Sequence, residues 1–190
     1  MTEEDIKPTL RAFVALSLSE DVMTQLQLKS IALQQKFAAT NIRWVPFKNY
    51  HLTLIFIGNV PYAEVDKMEV LIKEAVVGVK PFDIEVGNVT LFPPDQEKKG
   101  VLIASVKANK ALMTFQARLD VIFRATGYNL IDRPYRPHVT LARLRKSKVA
   151  QEELLKYDGA INSSVTQVHI YETHKKDGVV FNSIVRSIDL

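Results

Sequence analysis

Two stretches of this chain begin alike and continue as strands: HLTLIFI at 51–57 and HVTLARL at 138–144. Side chains along a strand point alternately to opposite faces. His51 and Thr53 therefore share one face, and Leu52 and Leu54 the other. His138 and Thr140 share a face in the same way, backed by Val139 and Leu141. The lead-ins also match, with Pro46-Phe47-Lys48 before the first run and Pro134-Tyr135-Arg136 before the second. Two copies are too few for a stacked repeat array. The expected architecture is two similar lobes, each built around one of these strands.

The rest of the chain supplies strands and amphipathic helices in turn. Residues 2–9 read as a loose tail. Arg11–Leu18 alternates as a strand. Ser19 caps a helix that spaces Val22, Leu26, Leu33 and Phe37 along one side, with Glu20 and Asp21 in its first turn. Ile42–Val45 is a short strand stopped by Pro46. Gly58-Asn59 closes the first motif strand, and Pro61 opens the next helix, which carries Val65, Met68, Leu71, Ile72, Ala75 and Val76. Phe82–Leu91 and Val101–Val106 are strands around a loop from Pro93 to Gly100. Asn109 caps a helix with Leu112, Phe115, Leu119, Ile122 and Phe123 inward, and Gly127 ends it. A short helix is expected at Gln151–Leu155. Val165–Glu172 and Val179–Ile188 form a closing strand pair about the turn Lys175–Gly178. Several connections are too short for parallel crossovers. The pattern is α+β, with mostly antiparallel sheets and helices on their outer faces.

The length, 190 residues, suits a single domain of two intimate lobes over residues 1–190, and nearly half the residues are hydrophobic, enough to bury a core. There is no cysteine, which excludes disulfides, thiolate catalysis and cysteine-held metals. The opening MTEEDIKPTL lacks the basic start and apolar stretch of a secretory signal, and no run is long and apolar enough for a membrane span. A cytoplasmic monomer with no membrane association is expected. The net charge of +4 leans toward polyanionic partners, and Arg133, Arg136, Arg143, Arg145, Lys146 and Lys148 crowd the second motif.

Two such strands facing one cleft present two imidazoles and two hydroxyls to a single ligand. One imidazole can take a proton from water while the other gives one to a leaving oxygen, since an imidazole titrates at ~6.5. The threonine hydroxyls can donate to non-bridging phosphate oxygens as charge shifts. A lone His-x-Thr is more often structural than catalytic. Here, two of the four histidines carry the pattern, each at the head of a strand. Neither motif strand holds an acidic residue, so the pair is a poor zinc or two-metal site, and no metal or cofactor is expected. There is no glycine-rich P-loop to cradle a nucleotide triphosphate.

The paired motifs resemble the 2H phosphoesterase superfamily, and within it the RNA 2',3'-cyclic phosphodiesterases, historically called 2'-5' RNA ligases. Arg11-Ala-Phe13-Val-Ala15 is similar to that family's first strand, 51–58 to its first motif and turn, and 136–143 to its second. The resemblance implies a bilobal, pseudo-twofold fold with a cleft between two antiparallel sheets. It implies that His51 protonates the departing 3' oxygen and His138 activates water, with Thr53 and Thr140 holding the phosphate and a 2'-phosphomonoester as product. It also places Arg143 near the phosphate. Strict alternation sets Arg143 on the face opposite His138, so a bulge or a strand end near Ala142 is required to bring it round. For the aromatic residues near the motifs, core packing is the more common role, and of them Phe13 is the best placed to stack on a terminal base, because its strand is similar to the family's cleft strand. The family often has a serine before the last hairpin turn and a tyrosine after it; Glu172 and Phe181 stand at the comparable positions.

The expected activity is metal-independent hydrolysis of a 2',3'-cyclic phosphate at an RNA 3' end. Two alternatives stay open. One is a phosphodiesterase for a small cyclic nucleotide or a 2'-5' linked oligonucleotide. The other is a non-catalytic nucleotide- or RNA-binding protein.

Overall fold

A computed structural model describes residues 9–38, 41–92, 100–144, 149, 153–154 and 159–190. In chain order the elements are β1 (Thr9–Leu16), α1 (Glu20–Lys36), β2 (Ile42–Trp44), β3 (Leu52–Pro61), α2 (Val65–Val76), β4 (Phe82–Phe92), β5 (Val101–Val106), α3 (Lys110–Ala125), β6 (His138–Leu144), β7 (Ile161–Val165), β8 (Gln167–Lys176) and β9 (Val179–Asp189). Short 3-10 turns at Phe47–Asn49 and Tyr62–Glu64 lead into β3 and α2.

The strands run in the order β7-β4-β5-β6-β3-β1-β8-β9, with β2 laid against β6. Every described pairing is antiparallel. The first four strands form one half and the last four the other. Between β6 and β3 the ladder is a single residue pair, Leu52 with Val139, so the halves are two sheets joined at one rung.

All three helices pack on one face of this sheet, and their inward residues form one core with those of the strands. That core includes Val22 and Leu26 of α1, Met68 and Ile72 of α2, Phe115 and Phe123 of α3, and Leu52 and Val139. The starts of α1 and α3 are those expected from the sequence. The Ser19 hydroxyl accepts from the Val22 amide at 3.5 Å, and the Asn109 side chain from the Leu112 amide at 2.9 Å.

The helices cross between the halves. α1 follows β1 but leans on β7, where Ser163 Oγ accepts from the Ser19 amide at 2.9 Å and the Gly159 carbonyl from Lys29 Nζ at 3.1 Å. α3 follows β5 but packs beside α2 and β3. There Arg118 donates to the Ala75 and Val77 carbonyls at 3.0 and 2.8 Å, closing the end of α2.

Three details depart from the sequence reading. The run Val165–Glu172 is two strands: β7 ends at Val165 on β4, and β8 begins at Gln167 on β1. β7 escapes an apolar pattern because its inward middle position is Ser163, fully buried and hydrogen-bonded to α1. β3 also does not stop at Gly58-Asn59. Gly58, at φ 93°, carries it through an irregular pairing with Ala12 and on to Pro61. Pro61 consequently precedes the Tyr62–Glu64 turn, and α2 starts at Val65. The expected turn at Lys175–Gly178 is present, with Asp177 and Gly178 at φ 50° and 78°, the left-handed pair a two-residue hairpin requires. The expected tail at 2–8, the loop at 93–99, the basic residues Arg145, Lys146 and Lys148, and most of the Gln151–Leu155 helix lie outside the described residues.

Candidate active site

The joint between the halves is where the two motifs meet. Leu52 and Val139 face each other across the single rung, and both are fully buried on the helix side. In an antiparallel pair, one step either way sets Thr53 beside His138 and His51 beside Thr140. These four side chains therefore leave the sheet on the helix-free face, and all four are partly exposed. Facing Cβ atoms on such a ladder lie ~5 Å apart, and diagonal ones ~7–8 Å. The two imidazoles occupy one diagonal of this square and the two hydroxyls the other.

Both rings are held by the same device. Nδ1 of His51 lies 2.8 Å from the Asn49 carbonyl oxygen, and Nδ1 of His138 lies 2.7 Å from that of Arg136. A carbonyl only accepts, so each Nδ1 carries hydrogen. Nε2 is then the nitrogen left on each ring to give or take a proton.

Their surroundings differ. The Phe13 ring centroid is 4.7 Å from that of His51, and the Tyr171 ring is 5.6 Å away. Phe13 and Tyr171 are paired neighbours on β1 and β8 and stack in parallel at 5.1 Å. This apolar wall strips water from His51 and lowers its pKa from 6.5 to about 4. The Asn49 carbonyl opposes that shift, and the nearby His138 adds to it. His138 has a looser neighbour, Phe92, at 6.4 Å, and the Arg136 guanidinium lies over that ring. Tyr135, from the lead-in to the second motif, donates its hydroxyl to the Thr53 carbonyl at 3.1 Å and ties the motifs together. Burial raises its pKa, so it stays a donor.

Arg143 lies on the histidine face because β6 bulges. The register runs from Ile103–Thr140 to Leu102–Ala142 and skips Leu141. Leu141 and Ala142 are both buried, and Arg143 emerges exposed on the side of His138 and Thr140. β3 does the same at the matching place. Its register skips Leu54, Leu54 and Ile55 are both buried, and Phe56 returns exposed to the His51 face. Phe56 and Arg143 are thus equivalent positions in the two halves.

The base-stacking role expected of Phe13 is not supported. Phe13 is 2% exposed, and its ring is packed among His51, Phe56 and Tyr171, with no face free for a base. It is a buried support for His51. Sequence reasoning missed Asn49, Phe56 and Tyr171. Of these, Phe56 was within reach, since it stands five residues after His51 as Arg143 does after His138. The other two histidines take no part in the square. His169 is buried between the hydroxyls of Ser187 and Ser17, at 2.9 and 3.1 Å. His174 bonds Ser183 at 2.7 Å and stacks on Phe181 in the hairpin. Among the described residues no three His, Asp or Glu side chains gather where they could hold a metal ion, and no helix is long and apolar enough to cross a membrane.

The model of the 2'-5' RNA ligase superfamily matches residues 19–177. This chain belongs to that superfamily. The RNA 2',3'-cyclic phosphodiesterase of Bacillus subtilis is 30% identical over 139 residues, covering 73% of each chain. The protein of the same name from Methanothermobacter thermautotrophicus is 27% identical over 136 residues, covering 72% of each. Among solved structures, E. coli LigT complexed with 3'-AMP superposes with a TM-score of 0.74 at 20% identity, covering 96% of this chain and 99% of that one. The fold is thus the α+β fold of the LigT phosphoesterases, as the paired motifs implied.

Proposed function

We propose that this member of the superfamily hydrolyses a 2',3'-cyclic phosphate at an RNA 3' end to a 2'-phosphomonoester. The carrying observation is the square of His51, Thr140, His138 and Thr53 around the Leu52–Val139 rung, with both Nδ1 atoms committed to backbone carbonyls. The names of the relatives support the substrate class.

In this reading His138 Nε2 takes a proton from water as its oxygen attacks phosphorus. The bond from phosphorus to the 3' oxygen breaks, and His51 Nε2–H delivers a proton to that oxygen. Thr53 and Thr140 donate to the non-bridging oxygens, and Arg143 adds positive charge on the same face. His51 must be protonated to act as the acid, yet burial holds its pKa near 4. The negative charge of the bound diester opposes that depression, because an anion beside an imidazole favours its charged form. Proton uptake by His51 therefore accompanies substrate binding. All four motif residues come from one chain, so the reaction needs no second copy, and we place it in the cytoplasm.

The test is turnover of an oligoribonucleotide ending in a 2',3'-cyclic phosphate, with the product analysed for 2'- against 3'-phosphate. His51→Ala and His138→Ala are each expected to lower kcat about a hundredfold or more. Wild-type turnover should persist in EDTA. Full activity in either variant, a 3'-phosphate product or loss of turnover on chelation overturns the mechanism.

A further inference from the structure

The square is not the end of the ladder on the helix-free face. Beyond the His51–Thr140 rung, β2 takes over from β3 as the neighbour of β6 and places Arg43 directly opposite Arg143. Ile42 and Trp44, either side of Arg43, pack on the core with Leu144 and Ala142. Both arginines therefore leave the sheet on the side of the histidines, and both are exposed. Among the described residues neither forms an ion pair with a carboxylate. Like charges directly across a strand pair repel. An anion between them turns that repulsion into attraction on both sides.

The Arg43 side chain is also pre-positioned. One of its terminal nitrogens donates to the Gly178 carbonyl at 2.8 Å, so the β8–β9 turn holds it by one arm and leaves its other donors uncommitted to that turn. Two guanidinium forks on adjacent strands match the oxygens of a phosphate. From the Thr140 rung to the Arg143 rung is one step along the strand face, about 7 Å, and the centre of the square lies half a step further, about 10 Å in all. Arginine side chains are long enough to cover part of that span, which brings the two sites to the spacing of successive phosphates along an extended ribonucleotide.

We infer that Arg43 and Arg143 form a second phosphate subsite, which takes the 5'-phosphate of the nucleotide whose 2'-phosphate lies in the histidine square. The inference rests on the function proposed above and deepens it. The preferred substrate is a nucleotide with a phosphate on its 5' side, as in an RNA chain, over an isolated nucleoside cyclic phosphate.

Equilibrium binding tests this without turnover, by titrating adenosine 2'-monophosphate and adenosine 2',5'-bisphosphate into the wild-type chain and Arg43→Gln. Wild type is expected to bind the bisphosphate about tenfold more tightly or better, the effect of one further charge-assisted contact. Its affinity for the bisphosphate should fall more steeply with salt than that for the monophosphate, a comparison that needs no variant. In Arg43→Gln the ratio should collapse toward one, with Arg43→Lys between. A wild-type ratio near one, no binding of the bisphosphate, or an equal loss of both ligands in Arg43→Gln overturns the subsite. In the last case Arg43 is only a clasp for the hairpin. Turnover of adenosine 2',3'-cyclic phosphate by wild type reports separately on the phosphodiesterase reading.

Discussion

The Asn49 carbonyl oxygen accepts the Nδ1 hydrogen of His51 at 2.8 Å. The same residue points its side chain the other way, onto the edge of the sheet. Its Nδ2 donates to the Val180 carbonyl at 2.9 Å, and its Oδ1 accepts from the Asn182 amide at 3.0 Å. β9 is the last strand of its half, so Asn49 ties that free edge back to the head of β3. Asn49→Ala removes both side-chain bonds from a buried position. It is expected to cost about 1–3 kcal/mol in urea unfolding. Turnover should show a lower kcat with little change in KM, because the backbone carbonyl that orients the ring stays but loses the side-chain anchor that fixes its position, and the phosphate contacts remain. A raised KM at unchanged kcat would assign Asn49 to substrate binding instead.

Acid should destabilise the fold through His51. Its pKa is about 4 in the folded chain against an ordinary 6.5, so between those values the unfolded chain binds more protons. Stability is then fully present above about pH 6.5 and declines as pH falls toward 4, by up to about 1.4 kcal/mol for each unit of the depression. His169, also lowered by burial, acts in the same direction. His51→Gln should reduce the slope of stability against pH in this window and leave the share due to His169. An unchanged slope would show that His51 is not desolvated by its neighbours.

Phe13 is the ring that most closely shields His51. Phe13→Ala should cost about 3–5 kcal/mol, the usual range for emptying a buried phenylalanine site. Water entering the cavity should let the His51 pKa climb back toward that of a free imidazole, which an NMR titration of the ring protons would follow. A His51 titration that ignores the substitution would place the source of the depression elsewhere.

Ser163 provides a test far from the cleft. Its hydroxyl accepts the Ser19 amide at the start of α1 from a fully buried position in β7. Ser163→Ala leaves that amide without its partner and is expected to lower stability by about 1–3 kcal/mol. Steady-state turnover at a temperature well below the unfolding transition should be unaltered.

The sequence carried the positions of His51, Thr53, His138 and Thr140 because period-two alternation acts within a single strand and needs no knowledge of its neighbours. It also carried the starts of α1 and α3, since a cap such as Ser19 or Asn109 bonds only three residues ahead. Arg143 was harder. Its side of the sheet depends on a bulge at Leu141, which is set by the partner strand β5. Ser163 was hidden because its inward side is made acceptable by a hydrogen bond to a residue far away in the chain. The burial of Phe13 was hidden for a similar reason. The partner that covers it, Tyr171, arrives from the other end of the chain. What stayed illegible was whatever two distant segments decide jointly.

The strand order has a consequence for how the protein is made. His51 belongs to a half built from β3 and β1, made before β4 to β7, and from β8 and β9, made after them. Tyr171 and the edge that Asn49 grips do not exist until β8 and β9 have been made, after all the strands of the other half. The half containing His138 can pair β4, β5 and β6 well before that. A nascent chain therefore holds His138 in its sheet while His51 still waits for its walls, and a chain cut short before β8 has no way to finish them.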